Sequence, residues 1–292
     1  MYRFVERERA SHHLTTLCRV LGVSPSGYRL WAGRRPAARA TADAVLLETI
    51  RSIHQASRRT YGAPRVEAEL RARGIAVGRK RVARLMRAAG LVGVHRRRRA
   101  VVRPRPRFRA ATTAPDLVRR TFRATGPDRL WVADITYLPT AAGFLYLAAI
   151  VDVWSRRVVG WSMAAEQRAE LVLAALDAAI DARRPGPGLI HHSDRGTQYT
   201  SVALGTRLAE LGIAASVGAP GTAYDNALVE SFFASLETEL IDRSSWVSHG
   251  EARTAVFDWI ECFYNPVRRH SALGQLSPAE FERRYRPGTT AA

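Results

Sequence analysis

Three acidic residues lie on separate segments where carboxylates could do chemistry. Asp134 interrupts the apolar run DRLWVADITYLP, Asp194 follows the short run LIHHS, and Glu230 lies within the helical pattern DNALVESFFASLETELI. An aspartate inside an apolar strand costs free energy unless it is paired or binds a metal. Three carboxylates brought together repel one another, and divalent cations between them offset that repulsion. The set therefore predicts a two-metal site for phosphoryl transfer, in which the cations stabilise the attacking and leaving oxygens.

Each acid taken singly has a plainer interpretation. A lone aspartate at a strand end usually caps a turn, and a lone glutamate on a helix is usually solvated. Asp152 also ends an apolar run, and it is interpreted as structural or as supporting the metal ligands. Glu230 lies at the edge of an apolar helical stripe, about 100° around the helix from Val229, so it can face a sheet without full burial. The prediction rests on the three acids as a set.

The strands and helices that carry these acids are predicted from about residue 127 onward. Three β-rich runs follow in close succession, and Thr140–Gly143 and Ser155–Arg156 look like hairpin turns between them. A helix, a strand, a helix, a short strand and two more helices come next. This order predicts an α/β domain of the ribonuclease-H-like type, a mixed five-stranded sheet with flanking helices. Its first strand is central and borders the later strand, so Asp134 and Asp194 should meet at one edge.

Charge is distributed unevenly along the 292 residues. The formal net charge is +19, but residues 1–125 hold 30 basic and 7 acidic residues, whereas residues 126–292 hold 15 and 19. The excess positive charge of the first part predicts binding to a polyanion such as DNA.

Two segments of this basic part have the pattern of helical DNA-binding modules. In LTTLCRVLGVSPSGYRLWAG a helical run stops at Gly22, and Ser24 with Pro25 marks a second helix start. Such a helix–turn–helix is compatible with DNA binding or with an ordinary helical hairpin.

Residues 62–91 have the same pattern of two helices joined by a turn, with helices predicted at about 64–73 and 79–89. On the second helix an apolar stripe lies opposite Lys80, Arg84 and Arg87. We expect those three cations, together with Arg65 on the first helix, to contact DNA; the alternative is a solvated charged face. The tract HRRRRAVVRPRPRFR that follows is broken by prolines and predicts an extended linker in which Arg96, Arg97, Arg98 and Arg99 touch phosphates.

Other classes of protein are disfavoured by composition. Two distant cysteines, Cys18 and Cys262, form neither a disulfide framework nor a CxxC metal site, which suits a reducing cytoplasm. The charged start MYRFVERERASHH has no apolar signal segment, and the run FLYLAAIV is far shorter than the ~20 residues that span a bilayer. We expect a cytoplasmic, nucleoid-associated bacterial protein with no membrane partner.

The motifs around the acids resemble a known family. The 35 residues between Asp194 and Glu230 match the D,D-35-E signature of retroviral integrases and bacterial transposases. WVADITYLP, VDVWSRRVVGW, HHSDRGTQYTS, YDNALVESFFASLETEL and YNPVRRHSALGQLSPAEFE are similar to the second-frame product of insertion-sequence transposases of the "IS three" family. YGAPRV and GRKRVARLMRAAGL extend the resemblance into the N-terminal modules, so it spans nearly the whole chain.

The resemblance implies a catalytic triad of Asp134, Asp194 and Glu230 that binds two Mg²⁺ or Mn²⁺ ions. Enzymes of the family cut one strand at an element end and use the freed 3′-hydroxyl to attack another phosphodiester, without a covalent protein–DNA intermediate. His192, Arg195 and Asn226 match motif positions that shape the site or touch terminal nucleotides. The implied partners are the element's terminal repeats, target DNA and, when the enzyme is active, further copies of the chain.

Two departures from the family pattern leave an alternative open. The family usually has Lys or Arg seven residues after the catalytic glutamate, where this chain has Glu237. The upstream reading frame, which supplies a further helix-turn-helix and a leucine zipper as fusion or partner, is not recognisable here. The main hypothesis is a DDE transposase. The alternatives are a catalytically weakened DNA-binding relic or regulator, and another nuclease of the same fold.

The predicted organisation has five segments. They are an N-terminal helix-turn-helix-like segment, a second helical DNA-binding module, a basic linker, the catalytic core and a tail, at residues 1–40, 41–94, 95–126, 127–285 and 286–292.

Overall fold

The computed structural model describes residues 1–33, 37–95, 114–119, 121–194, 196, 198–218 and 227–285. It divides into two compact units, residues 1–52 and 53–292. The boundary falls within a long helix, α4 (Ala38–Ala56). Among the described residues no helix is long and apolar enough to cross a membrane.

The first unit contains three short helices, α1 (Tyr2–Glu8), α2 (Leu14–Val20) and α3 (Pro25–Ala32). Ser24 caps α3 by accepting a hydrogen bond from the Gly27 amide at 2.9 Å, as its sequence predicts. Gly22 occupies the left-handed region with φ +63°, which lets the chain turn between α2 and α3. The small core contains Val5, Leu17, Cys18 and Tyr28.

The second unit begins with a helical pair, α5 (Ala63–Ala72) and α6 (Arg79–Ala88), close to the predicted bounds. On α6 the buried residues are Val82, Leu85 and Met86. Lys80, Arg84 and Arg87 are exposed on the opposite face. The amphipathic division predicted for this helix is therefore present.

A five-stranded mixed sheet follows, with strand order β3-β2-β1-β4-β5. The first three strands are β1 (Leu130–Thr140), β2 (Gly143–Asp152) and β3 (Val158–Ala164), joined as antiparallel hairpins. The last two, β4 (Ile190–Ser193) and β5 (Ala214–Val217), run parallel to β1. The prediction that the first strand is central and borders the later strand is confirmed.

Helices cover the sheet on both faces. One layer consists of α7 (Ala169–Arg183) and α8 (Val202–Glu210), whose buried residues share a core with Trp131 and Ala133 of β1. The helix α9 (Ala227–Glu239) also packs against β1, and none of its described side chains belongs to that core. Because successive strand residues point to opposite faces, Asp134 faces the α9 side.

The chain ends in several short helices. A 3₁₀ turn (Ile241–Arg243) precedes α10 (His249–Phe257), which continues into a π-helical segment (Asp258–Tyr264). A second 3₁₀ turn (Ser271–Leu273) and α11 (Pro278–Arg283) complete the described chain. The π segment buries Trp259, Ile260, Phe263 and Tyr264.

The predicted domain bounds, with a helical module at 41–94 and a catalytic core at 127–285, stay a prediction. Residues from 53 onward form one compact unit. The Tyr61 hydroxyl accepts a hydrogen bond from the Arg269 amide at 2.7 Å and donates to the Val267 carbonyl at 3.2 Å. Glu69 on α5 pairs with Arg269 at 2.6 Å. These contacts join α5 to the C-terminal segment about 200 residues away, which no local sequence pattern shows.

Candidate active site

The backbone places Asp134 and Asp194 side by side. β1 and β4 pair in parallel register up to Ala133 and Ser193, and the next residues on the two strands are Asp134 and Asp194. Neighbouring strands lie about 4.8 Å apart, so the two carboxylates leave the same edge of the sheet from adjacent positions. Both residues are half-buried. The predicted meeting of these two acids follows from this register.

Local hydrogen bonds orient both carboxylates. Asp134 Oδ1 accepts from the amide of Ile135 at 2.8 Å, and Asp194 Oδ1 accepts from the amide of Gly196 at 3.0 Å. A Cβ at residue 196 would lie 3.1 Å from Asp194 Oδ1, which is tight for any larger residue. Glycine at 196 therefore leaves room for the carboxylate beside the turn.

A buried tyrosine adjoins this pair. Tyr199 is 7% exposed, and its hydroxyl has no hydrogen-bond partner among the described residues. Burial raises the pKa of Tyr199 well above its ordinary value, and the negative charges of Asp134 and Asp194 raise it further. The hydroxyl is therefore a neutral donor within electrostatic reach of both carboxylates. The motif HHSDRGTQYTS contains this residue, but sequence reasoning assigned it no role.

Glu230 lies in the first turn of α9 and is half-buried. Its neighbours Leu228, Val229, Phe232 and Leu236 form the buried face of the helix. Of the stripe predicted from sequence, Val229, Phe232 and Leu236 are buried, and Leu228 is buried in addition. The other two predicted members, Phe233 and Leu240, are only half-buried. Glu230 therefore belongs to the helix that packs against β1, the strand that carries Asp134.

The donor set consists of carboxylate oxygens, which suit hard cations such as Mg²⁺ and Mn²⁺. Two of the three acids are adjacent, and the third is on the helix packed over the same strand. Within the described ranges, no three His, Cys, Asp or Glu side chains stand close enough together to hold a metal ion. The structure thus brings Asp134 and Asp194 together, and the closure of Glu230 onto them stays a prediction.

Asp152 is held by hydrogen bonds from two neighbouring turns. It is fully buried at the end of β2, where it accepts hydrogen bonds from Ser155 N at 2.7 Å, Ser155 Oγ at 3.0 Å and Asp128 N at 2.8 Å. Burial raises the pKa of Asp152, and the hydrogen bonds from Ser155 and Asp128 oppose that rise. It pairs with Trp131, three positions before Asp134. These contacts fit the structural interpretation and explain its place in the hairpin turn.

The two histidines before Asp194 are buried in β4. His192 contacts Ser216 Oγ through Nδ1 at 2.9 Å and Phe122 edge-on at 5.7 Å. Burial, and then the neighbouring His192, lower the pKa of His191 to about 4. Both rings are therefore part of the buried strand that ends at Asp194, and the supporting role predicted for His192 stays a prediction.

The residues predicted to contact DNA are placed differently from one another. Lys80, Arg84 and Arg87 are exposed on α6. Arg65 departs from the expectation of an open face, because its side chain is 27% exposed and pairs with Glu239 at 3.3 Å. The other predicted contacts lie outside the described residues, namely Arg96, Arg97, Arg98, Arg99, Arg195 and Asn226.

Glu237 and Glu239 on α9 also differ. Glu237, the residue that departs from the family pattern, is exposed. Glu239 is 5% exposed and receives Arg268 in a two-pronged pair, at 2.8 Å from Nε and 2.7 Å from Nη2. The negative charge at 237 is therefore available to a ligand, whereas that at 239 is neutralised inside the protein.

A five-stranded sheet of this order, with two aspartates at one edge and a helix-borne glutamate, defines an integrase-type core. Family models for the integrase core domain match residues 124–223 and 211–278, and a model for an HTH-like domain matches residues 41–99. The predicted fold class is confirmed.

Relatives give the family. The chain is 40% identical over 287 residues to transposase InsF for insertion sequence IS3A of Escherichia coli K12, covering 96% of this chain and 98% of the relative. It is 40% identical over 276 residues to the insertion element IS600 uncharacterized 31 kDa protein of Shigella sonnei, covering 92% and 98%. The chain belongs to the IS3 family of transposases, which is the family that its sequence motifs resemble. The function of this family is DNA transposition by a DDE-type core.

A solved structure also aligns with the chain. The cryo-EM structure of the simian T-cell lymphotropic virus intasome in complex with PP2A regulatory subunit B56 gamma is 14% identical, with a TM-score of 0.49, and the match covers 83% of this chain and 77% of that chain.

Proposed function

We propose that Asp134, Asp194 and Glu230 form the catalytic centre of this transposase. The centre cuts one DNA strand at an insertion-sequence end and transfers the freed 3′-hydroxyl to another phosphodiester. The observation that carries the proposal is the register of β1 and β4, which ends one residue before both aspartates. Two carboxylates at adjacent strand ends repel each other, so the fold alone gives no reason to place them there. Bound cations would offset this repulsion.

The three acids would hold two divalent cations, Mg²⁺ or Mn²⁺. Bound cations would supply Lewis acidity to the attacking and leaving oxygens of the phosphodiester. The protein's own part is positioning. The strands fix the backbone of both aspartates, the amides of Ile135 and Gly196 orient their carboxylates, and α9 carries Glu230 toward the same side of the sheet.

The DNA is held in part by the exposed face of α6, where Lys80, Arg84 and Arg87 can contact phosphates. We assign the terminal repeats and the target as the two DNA substrates. The active form is an oligomer, and the upstream-frame product acts as fusion or partner. These assignments rest on the family and on the basic character of residues 1–125.

A joining assay tests the proposal. Labelled duplex carrying the element's terminal repeat is incubated with the full chain and Mg²⁺ or Mn²⁺, beside the variants Asp194→Asn and Asp177→Asn. Asp177 is a matched control because it is a half-exposed aspartate on α7 that pairs with Arg207. We expect nicking and joining to be lost in Asp194→Asn, with DNA binding kept, and to persist in Asp177→Asn. Equal activity in all three proteins would refute the catalytic assignment.

A second candidate function is a DNA-binding regulator with weakened chemistry. The observation that favours it is the exposed carboxylate of Glu237 on the catalytic helix, which repels a DNA phosphate. Repeating the assay with the upstream frame fused separates the two. Joining by the fused protein alone identifies an incomplete enzyme, whereas binding without joining in both forms supports the regulator.

A further inference from the structure

A cavity of about 220 Å³ lies beside α9, the helix that carries Glu230. Neither Asp134 nor Asp194 lines it. Ser231, which directly follows Glu230, and Ser235 one turn later are on its wall. The rest of its polar lining comes from four other segments, and the residues that matter are Arg65, Arg156, Tyr264, Arg268 and His270.

The cavity wall carries more positive than negative charge. Three arginines line it, and Glu239 accepts from both Arg65 and Arg268. The buried carboxylate of Asp152, which is not part of the lining, also attracts Arg156. His270 adds no charge, because burial, and then Arg268, lower its pKa well below the ordinary value. Arg268 Nη1 donates to His270 Nε2 at 3.3 Å, which suits a neutral ring. Among the described residues the wall therefore has one positive charge beyond those that Glu239 and Asp152 balance.

Arg156 is attracted by the buried carboxylate of Asp152, but no ion pair at contact distance joins them. It sits in the β2–β3 turn with φ +62° and is half-buried, and among the described residues its guanidinium makes no hydrogen bond or ion pair. Burial lowers the pKa of Arg156, which records the cost of holding this charge away from water. Burying a charge that no ion pair contacts lowers stability. An arginine held in this way beside a cavity is suited to bind an anion from solvent.

The chemistry of the lining selects the kind of anion. Arginine forks donate paired hydrogen bonds to the oxygens of phosphate. The hydroxyls of Ser231 and Tyr264 add neutral groups on the same wall. A phosphodiester needs several donors converging on a singly charged group, which this wall provides.

We propose that this cavity binds a backbone phosphate of the DNA substrate, with Arg156 as its principal cation. The inference rests on the proposed function, since the cavity is lined by Ser231, the residue that follows the predicted catalytic Glu230. The arginines of the cavity would also attract DNA near α9, where the exposed Glu237 repels it. Arg65, predicted from sequence to contact DNA, lines the cavity rather than an open helix face.

The test compares Arg156→Asn with Arg184→Asn in the full chain. Asparagine tolerates positive φ, and Arg184 is a matched control because it also has positive φ, at 45°, is exposed and lies outside the cavity lining. Affinity for a labelled 30-base-pair duplex is measured against salt concentration in EDTA, so that no cleavage occurs. We expect Arg156→Asn to bind about tenfold more weakly, with a salt slope smaller by about one, and Arg184→Asn to keep the wild-type slope.

Thermal unfolding without DNA provides a second readout. Because burial costs Arg156 more than the attraction of Asp152 returns, Arg156→Asn should leave the Tm unchanged or raise it. A lower Tm together with an unchanged salt slope would make Arg156 a structural residue and overturn the proposal. An equal drop in slope for both variants would overturn it as well, since the effect would then be long-range charge.

A further experiment decides whether the bound phosphate belongs to DNA or is free in solution. Inorganic phosphate is compared with chloride at equal ionic strength, with the Tm as readout. Stabilisation by phosphate of the wild type but not of Arg156→Asn, with DNA affinity unaffected, would assign the cavity to a free phosphate and overturn the DNA assignment. The binding assay needs no catalysis. A chain that binds through Arg156 but never joins DNA would therefore refute the proposed function and keep this inference.

Discussion

Two groups of arginines in the second compact unit look alike in the sequence and differ in the structure. On α6, Arg84 and Arg87 stand exposed with Lys80 on the face opposite the apolar stripe. Around α9, Arg65 and Arg268 surround Glu239, and the side chains of Arg268 and Glu239 are 6% and 5% exposed. The first group can meet an incoming polyanion, whereas the second neutralises a carboxylate inside the protein.

Burial, rather than residue type, therefore decides what an arginine does in this protein. An exposed cation contributes to DNA affinity through the counterions it releases. A buried cation must be paired, and removing its partner leaves a charge that water cannot solvate.

The largest effect is expected from Glu239→Ala. This change leaves Arg65 and Arg268 without their shared carboxylate, and breaking such a buried pair costs about 3–5 kcal/mol. The free energy of unfolding from urea titration is the measurement. Glu237→Ala, two residues earlier on the same helix but exposed, should change it by about 0.5 kcal/mol or less. Equal losses in the two variants would remove the distinction between the groups.

Combined replacement of Lys80, Arg84 and Arg87 by alanine should act on DNA rather than on folding. We expect the slope of log affinity against log salt to fall by about 2–3 units, at roughly 0.9 per phosphate contact, with a nearly unchanged Tm. Arg71→Ala on α5 is the control, since Arg71 is exposed and pairs with Glu67 at 2.6 Å. A triple variant with the wild-type slope would place the DNA elsewhere.

The sequence was sufficient for the features that local pattern encodes. Ser24 and Pro25 mark a helix start, and the periodicity of α6 separates its two faces. The strand order follows from the succession of elements, so the adjacency of Asp134 and Asp194 could be derived before any coordinates.

Contacts between distant segments could not be derived in this way. Arg65 lies 174 residues from Glu239, and no local pattern pairs them. The buried hydroxyl of Tyr199 was missed for a related reason. A tyrosine in a polar motif gives no sign of whether its hydroxyl finds a partner, since that depends on how β4 and α8 pack.

Two tyrosines sharpen the contrast between satisfied and unsatisfied buried groups. Tyr61→Phe removes a hydroxyl that both accepts from Arg269 and donates to Val267, and we expect a loss of roughly 1–2 kcal/mol in unfolding free energy. Tyr199→Phe removes a hydroxyl without a described partner, so stability should stay level or rise. Chemical denaturation of both variants decides, and a greater loss for Tyr199→Phe would contradict this account.

The smallest effect is expected from Glu237→Lys. It exchanges an exposed negative charge for a positive one on α9, so DNA affinity at low salt should rise a few-fold and the gain should shrink as salt screens it. Glu237→Gln should give about half of that gain in free energy. Affinities identical in the three proteins would show that DNA does not approach this turn of the helix.

Metal binding tests the central claim most directly, because it requires neither DNA nor turnover. Titration of Mn²⁺ into the full chain by isothermal calorimetry is compared for the wild type, Asp134→Asn, Asp194→Asn, Glu230→Gln and Asp152→Asn. If the three acids form one site, each of the first three variants weakens Mn²⁺ binding by tenfold or more, while Asp152→Asn retains it. Wild-type affinity in Asp134→Asn and Asp194→Asn would contradict the account.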